Sequence, residues 1–149
     1  MAVYLDTAKF LDAVCLMLRQ GQKNVPIPVA GNSMRPFLGS GDTAYLTSLE
    51  GPVRPGDVFL FQRENGQYVL HRLMKIQGDT LWFLGDSQLQ QEPVQRHQLR
   101  AKVASVRRRG EALGPGSFVW WFYACLWRWL APWRAQISKL REWLRQHIR

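Results

Sequence analysis

The sequence predicts a mainly β (α+β) fold: a small, strongly bent antiparallel β structure with one N-terminal helix and a helical C-terminal tail. Short β-rich runs recur between residues 25 and 107, separated by turns rich in Gly, Pro, Asp and Asn. An Asn-Gly pair at positions 65 and 66 joins two of these runs, which is a strong signal for a hairpin. Clear helical periodicity is confined to the two ends of the chain.

The first predicted element is a helix, and Gly21 is well placed as the residue that follows its C-terminus. The apolar stripe of this helix consists of Phe10, Leu11, Val14, Met17 and Leu18. Short strands are then predicted over residues 25–29, 44–46, 58–61, 68–76, 81–84 and 101–107. Short strands joined by tight turns favour a small, bent antiparallel sheet.

The character of the chain changes near residue 110. A basic run at residues 107–109 and a Gly-Pro-Gly breaker at 114–116 precede an aromatic segment over residues 118–133. The last residues then carry apolar side chains at helical spacing, with basic residues on the other faces. We therefore predict a β domain over residues 1–110 and a Trp-rich, basic amphipathic helical tail over residues 111–149.

The net charge of +9 is distributed unevenly. Residues 1–106 hold 11 Lys and Arg against 9 Asp and Glu, whereas residues 107–149 hold 9 against 2. A nucleic-acid-binding domain would carry basic residues over the surface of the fold itself. Because the positive charge here belongs to the tail, we expect no nucleic-acid partner.

Cysteine usage and the N-terminus both favour a cytoplasmic location. Cys15 and Cys125 lie in apolar segments without CxxC spacing, which predicts buried thiols in a reducing compartment. Residues 1–12 lack the basic start and the unbroken apolar run of a secretory signal. Histidines and carboxylates do not cluster at metal-ligand spacing, so neither a metal nor an organic cofactor is expected.

The aromatic segment of the tail suggests a membrane surface. Residues 118–133 are interrupted by Arg128 and Pro132 and fall short of the ~20 residues that a spanning helix needs. Trp and Tyr favour the bilayer interface, and a basic amphipathic helix fits an anionic surface. We expect peripheral attachment to the inner face of the membrane through residues 118–149. The alternative is that these aromatics cover the β domain or bind a partner protein.

Ser33 lies in a turn at the end of the first predicted strand. The local composition is typical of an ordinary turn, but a serine presented there becomes a nucleophile when a neighbouring base takes its proton. His97 lies in a polar segment and His147 lies on the tail, whereas His71 lies within a β-rich run. His71 is therefore the candidate base, although a lone strand histidine is more often structural.

An imidazole base also benefits from a carboxylate that orients it. Asp86 follows the strand over residues 81–84, which a tight turn joins to the strand of His71. Glu92 is a second acid, on the loop that follows. Ser33, His71 and Asp86 thus supply the parts of a hydroxyl–imidazole–carboxylate set in that chain order.

Four motifs in this sequence together resemble the signal peptidase I superfamily, in its Ser–His form. They are residues 31–38 (GNSMRPFL) followed by Gly41-Asp42, residues 55–61 (PGDVFLF), residues 69–73 (VLHRL) and residues 84–86 (LGD). The first follows the family pattern G-x-S-M-x-P-x-L with a later G-D pair. The third carries a histidine where bacterial leader peptidases carry a lysine. The resemblance spans roughly residues 7–108, and the motifs keep the order of the family.

The resemblance implies a β fold of the signal peptidase/LexA-like type and a serine endopeptidase that cleaves a leader or signal-like segment from a peptide or protein precursor. On the matched positions Ser33 would be the nucleophile, His71 the general base and Asp86 the acid. The family often has a further aspartate shortly after the G-D pair. This chain has Glu92 there, so Glu92 is a possible second acid.

One departure from the family leaves other functions open. Typical members carry an N-terminal membrane anchor, which we do not find in this sequence. In this respect the sequence resembles short family members without an anchor, which look like maturation peptidases. A non-catalytic peptide-binding module on the same fold is one alternative, and a membrane-surface adaptor is another. The LexA-like self-cleaving regulators use a Ser–Lys pair, and no helix-turn-helix signal precedes Ser33.

Overall fold

A computed structural model describes residues 7–148 and contains one antiparallel sheet of eight strands, with a helix before it and helices after it. The helices are α1 (Thr7–Arg19), α2 (Phe118–Trp121) and α3 (Ala131–His147), and a π-helical segment (Phe122–Trp127) follows α2. The strands are β1 (Val25–Pro28), β2 (Thr43–Thr47), β3 (Val58–Gln62), β4 (Tyr68–Gln77), β5 (Thr80–Leu84), β6 (Glu92–Gln95), β7 (Leu99–Arg108) and β8 (Glu111–Leu113). The predicted mainly β, α+β class is confirmed.

Helix α1 ends as the sequence predicts. Gly21 has a positive φ of 90°, and its amide donates to the carbonyl of Leu18. The amide of Gln22 donates to the carbonyl of Met17, which completes a Schellman motif. The residues of this helix that are buried against the sheet are Leu11, Val14, Cys15 and Leu18.

Three strand pairs of the sheet are irregular. The strand order is β1-β2-β7-β3-β4-β5-β6, and β8 pairs with β7. Register shifts interrupt the pairing of β2 with β7, of β3 with β7 and of β4 with β5, and such bulges increase local twist and bend the strand. The central strand β3 is buried on both faces: Leu60 belongs to one apolar cluster and Phe61 to another.

Two strands were not predicted from the sequence, and both are marginal. The segment of β6 was expected to be a loop, and it contains Pro93, which cannot donate a ladder hydrogen bond. Proline is tolerated there because β6 is an edge strand that pairs only with β5. β8 has three residues and continues the sheet just beyond residue 110, where the tail was expected to begin.

The inner face of the tail packs on the β domain. Trp120 is only 4% exposed and Tyr123 is also buried, and both belong to the same apolar cluster as α1. The ring of Trp120 meets Phe37 edge-on at 5.6 Å between centroids, and Tyr123 lies 5.2 Å from the same ring. The tail therefore contributes to the core beside the serine-bearing turn.

The outer face of the tail remains exposed. The prediction that both cysteines are buried is correct for Cys15 and wrong for Cys125, which is exposed. Trp120, Tyr123 and Trp127 all face the β domain, and Cys125 lies on the opposite side of this helical segment. Within residues 7–148, no helix is both long enough and apolar enough to cross a membrane.

We expect Trp120→Ala to lower the free energy of unfolding by about 3–5 kcal/mol, because it removes a large buried side chain and leaves a cavity. The matched control is Trp121→Ala, since Trp121 is 53% exposed and surface substitutions usually change stability by less than about 0.5 kcal/mol. Guanidinium unfolding of both variants measures the difference. Equal losses in the two variants would contradict the packing of the tail.

Candidate active site

Ser33 lies in an irregular turn that is held by the loop after β5. Both the amide and the hydroxyl of Ser87 donate to the carbonyl oxygen of Ser33, each at 3.0 Å. Gly85 allows this approach, since a Cβ atom there would lie 2.5 Å from the same carbonyl oxygen. The glycine of the predicted G-D pair is therefore required by close packing against the serine turn.

His71 lies within β4, and its imidazole reaches Ser33. The distance from His71 Nε2 to Ser33 Oγ is 3.2 Å, and the His71 side chain is almost entirely buried. The ring of Phe61 packs against the imidazole in an edge-on arrangement. If Nδ1 carries the proton of the neutral ring, Nε2 can accept the serine proton.

Glu92, not Asp86, is the acid beside His71. The distance from His71 Nδ1 to Glu92 Oε1 is 3.4 Å, which is long for a hydrogen bond, and Nδ1 has no other partner among the described residues. At this distance the contact is electrostatic. Such contacts are often long in a free enzyme and shorten in the substrate complex.

Arg63 holds Glu92 in place with two hydrogen bonds. Its Nε donates to Oε2 at 3.0 Å and its Nη2 donates to Oε1 at 2.8 Å. A guanidinium that binds both oxygens of a carboxylate fixes its orientation as well as its position. Sequence reasoning missed Arg63, because its relevance depends on the strand β6 that brings Glu92 into reach.

The prediction that Asp86 orients His71 is wrong. Both carboxylate oxygens of Asp86 accept hydrogen bonds from Arg72, at 2.8 and 2.7 Å, and both side chains are buried. Neighbouring residues of a strand point to opposite faces of the sheet, so Arg72 faces away from His71. Leu84 pairs with Arg72, and Asp86 lies two residues further along that face.

The same alternation explains why Glu92 reaches the imidazole. His71 and Leu73 lie on one face of β4, and Leu73 pairs with Phe83 in β5. Phe83 in turn pairs with Glu92 in β6. The acid and the base therefore share a face two strands apart, which no spacing in the linear sequence shows.

Burial and charge set the protonation states of the site. The pKa of His71 is lowered from its ordinary value of 6.5 to about 4. Burial is the largest cause and Arg63 adds to it, whereas Glu92 opposes both. The hydrogen bond from Arg63 is the main reason that the pKa of Glu92 is also lowered. At neutral pH the imidazole is therefore neutral, as a general base must be, and Glu92 is ionised.

The lowered pKa of His71 also makes stability depend on pH. Between about pH 6.5 and pH 4 the unfolded chain binds a proton at this histidine that the folded protein excludes. The stabilisation is therefore complete above pH 6.5 and is lost as the pH falls towards 4. A histidine base with this pKa would also keep an activity profile flat down to about pH 5.

A cleft opens at the serine and continues into an apolar groove. A cavity of about 270 Å³ is lined by Ser33, His71 and Arg63, among others. A second cavity, of about 520 Å³, extends from it towards α1 and is lined mainly by apolar side chains, including Phe10. The residues that line both cavities are Val29, Ala30, Tyr68 and Leu70. An extended peptide could therefore lie along β1 with its side chains in the groove.

We found no candidate metal site in the described residues and no matching protein family or curated protein. Across residues 7–148, no three His, Cys, Asp or Glu side chains are grouped so that they could hold a metal ion. Comparison with known proteins found no protein-family model and no curated protein that matches the chain. The chemistry of the site therefore has to be argued from its own geometry.

We expect Arg63→Gln to raise the pKa of His71, because it removes a positive charge that disfavours the imidazolium and leaves the negative charge of Glu92 unopposed. NMR titration of the histidine ring protons measures the shift without any substrate. Arg54→Gln is the matched control, since Arg54 is exposed in the turn before β3 and is not among the groups that shift the pKa of His71. An unchanged or lower His71 pKa in Arg63→Gln would contradict this electrostatic role.

Proposed function

We propose that this protein is a serine endopeptidase that removes a leader or signal-like segment from a peptide or protein precursor. One observation carries the proposal: the hydroxyl of Ser33 lies 3.2 Å from Nε2 of a buried His71, at the wall of an open cleft. The resemblance of the four motifs to the signal peptidase I superfamily, Ser–His form, supports it. The bent antiparallel sheet is compatible with that family's fold type, which is part of the proposal.

The geometry supports an acyl-transfer mechanism. Ser33 Oγ attacks the carbonyl carbon of the scissile peptide bond while His71 accepts the hydroxyl proton. The imidazolium then gives this proton to the leaving amine as the C–N bond breaks, and an acyl-enzyme remains. Water, activated by the same imidazole, hydrolyses the ester and restores the serine.

Two further groups stabilise the charges that develop in these steps. Glu92, held by Arg63, faces the imidazolium that forms at His71. The backbone amide of Ser33 donates no hydrogen bond within the described residues, so it is available to the oxyanion. Asp86 takes no part in the proposed chemistry, because its carboxylate is engaged by Arg72.

The shape of the cleft favours a substrate with apolar side chains near the cut. The groove between α1 and β1 would receive them while the peptide backbone runs beside the edge strand β1. A leader or signal-like segment is such a sequence. The non-catalytic alternative would use the same groove to bind a peptide without cleaving it.

We expect Ser33→Ala and His71→Ala each to reduce peptide cleavage by about 10³-fold or more, since each removes one half of the proton-transfer pair. Incubation with a proteome-derived peptide library, followed by mass spectrometry of new termini, measures cleavage without knowledge of the substrate. His97→Ala is the control, because His97 is exposed and outside the cleft. Equal cleavage by wild type and Ser33→Ala would favour the peptide-binding alternative.

We also propose that α3 attaches the protein to an anionic membrane surface at the cytoplasmic face. Four exposed apolar residues form one stripe along this helix, and exposed Ile148 follows its end; we call these five residues the outer tail surface: Trp133, Ile137, Leu140, Leu144 and Ile148. Arg141 lies beside this stripe, and both Arg141 and Lys139 are exposed. Exposed Trp and Leu with neighbouring cations are what an in-plane amphipathic helix uses to bind anionic lipid.

We expect the full chain to float with vesicles containing phosphatidylglycerol and to bind pure phosphatidylcholine vesicles at least about tenfold more weakly, because cations on the tail would no longer find anionic headgroups. The double variant Trp133→Ser and Leu140→Ser should lose binding to both. Leu16→Ser, which changes an equally exposed residue on α1, is the control. Binding that is unaffected by the double variant would count against the outer tail surface.

A further inference from the structure

Two side chains from the tail converge on one backbone carbonyl of the active-site loop. The indole Nε1 of Trp127 donates to the carbonyl oxygen of Asp86 at 2.9 Å. Nη1 of Arg134 donates to the same oxygen at 2.6 Å. The guanidinium of Arg134 also lies over the Trp127 ring, 4.3 Å from its centroid, so the two donors support each other.

This carbonyl belongs to the loop that holds the serine turn. The residue after Asp86 is Ser87, whose amide and hydroxyl both donate to the carbonyl oxygen of Ser33. The hydroxyl of Ser87 also lies 2.9 Å from the carbonyl oxygen of Asn32. A displacement of Asp86 would therefore be transmitted through one residue to the backbone of Ser33.

The tail is itself anchored, so it can act as a fixed support. Nη1 of Arg128 donates to the carbonyl oxygen of Met74 in β4 at 3.1 Å. Gly56 packs so closely on the tail that a Cβ atom there would lie 2.7 Å from the carbonyl oxygen of Ala124. Arg72 holds the carbonyl of Gly56 from the other side, at 2.7 Å. The π-helical segment is therefore attached to the same sheet that carries His71.

We propose that Trp127 and Arg134 are positioning residues for Ser33, and that the tail acts as a buttress that holds the serine turn at the correct distance from His71. The expected effect of the buttress on kcat rests on the proposed peptidase function. Its expected effect on the order of the loop over residues 85–87 does not depend on that function. The Trp-rich tail is thereby assigned a role in the active site that is separate from any membrane contact.

The position of Ser33 matters because its hydroxyl is only just within hydrogen-bond reach of the imidazole. The Oγ–Nε2 distance of 3.2 Å is near the upper end for a hydroxyl donor. A misplacement of about 1 Å at a reacting group can reduce the rate by ~10²-fold. Loss of the buttress should therefore lower kcat while the substrate groove, which is lined by other residues, keeps KM nearly unchanged.

The kinetic test uses variants of the full-length chain that remove the two donors. Trp127→Phe keeps an aromatic ring under Arg134 but lacks the indole N–H, and Arg134→Gln removes the guanidinium. We expect the double variant to lose ~10- to 100-fold in kcat, with KM within about twofold of wild type. Arg134→Lys keeps a cationic donor. When it replaces Arg134→Gln in the double variant, it should restore most of the lost kcat. The substrate is the best-cleaved peptide from the library, made with a fluorophore and a quencher.

Matched controls change the same residue types away from the buttress. Trp129→Phe alters a tryptophan of the tail that is 67% exposed. Arg96→Gln alters an exposed arginine in a single 3₁₀ turn (Arg96–Gln98) between β6 and β7. Both should keep wild-type kcat and KM. Thermal melting of every variant is recorded, and kinetics are measured well below the lowest midpoint so that unfolding does not lower kcat.

A second measurement is independent of catalysis. Hydrogen exchange of the Ser87 amide reports its hydrogen bond to the Ser33 carbonyl, and exchange at Leu60 reports the core. In the double variant we expect the Ser87 amide to exchange about tenfold or more faster while Leu60 keeps its protection, because only the loop opens locally.

The outcomes separate this inference from the proposed function. Faster Ser87 exchange together with lower kcat supports the buttress. Unchanged Ser87 exchange in the double variant overturns it, and so does faster exchange with wild-type kcat. If Ser33→Ala cleaves as well as wild type, the peptidase proposal fails, while faster Ser87 exchange would still support the structural part of the buttress.

Discussion

A buried ion pair between Arg72 and Asp86 connects the parts of the molecule on which the site depends. The guanidinium binds both carboxylate oxygens, donates to the carbonyl of Gly56 and lies 4.9 Å from the centroid of the Phe37 ring. Removing one partner of such a pair costs about 3–5 kcal/mol, because the other charge is left buried without compensation. Its contribution here is also geometric: it fixes the loop that precedes Ser87 relative to β4, and therefore the serine turn relative to the histidine.

The alternation of side chains along β4 lets one strand perform two tasks. His71 faces the cleft, and the next residue, Arg72, faces the structural ion pair on the opposite side of the sheet. On the face that carries His71, few groups act on the imidazole. Burial is the largest influence on the pKa of His71, and Arg63 and Glu92 act on it in opposite directions. The result is a neutral imidazole beside an ionised carboxylate at neutral pH, which is the state that the proposed proton transfer from Ser33 requires.

The tail has two faces with different environments. Its inner face places Trp120 and Tyr123 in the core and directs Trp127 and Arg134 to the carbonyl of Asp86. Its outer face exposes apolar side chains along α3. One helical tail can have both faces, because residues three or four apart share a side of a helix and residues two apart lie on nearly opposite sides. A membrane-bound α3 could therefore keep its support of the serine turn while its outer tail surface contacts lipid.

Much of this protein could be predicted from local sequence, because the relevant signals are local. The hairpins and the end of α1 follow from turn glycines and from periodicity, and Ser33 and His71 stood out through their motifs. The choice of acid could not be predicted in this way. Whether Asp86 or Glu92 faces His71 depends on which side of the sheet each side chain points to, and this requires the pairing of β5 with β6. Pro93 made β6 hard to predict as a strand from the sequence. The buried side of residues 118–127 was equally undecided, since these residues are apolar on every face of the helix and only contact with the sheet distinguishes them. Local chemistry determined which groups could react, and tertiary packing decided which of them meet.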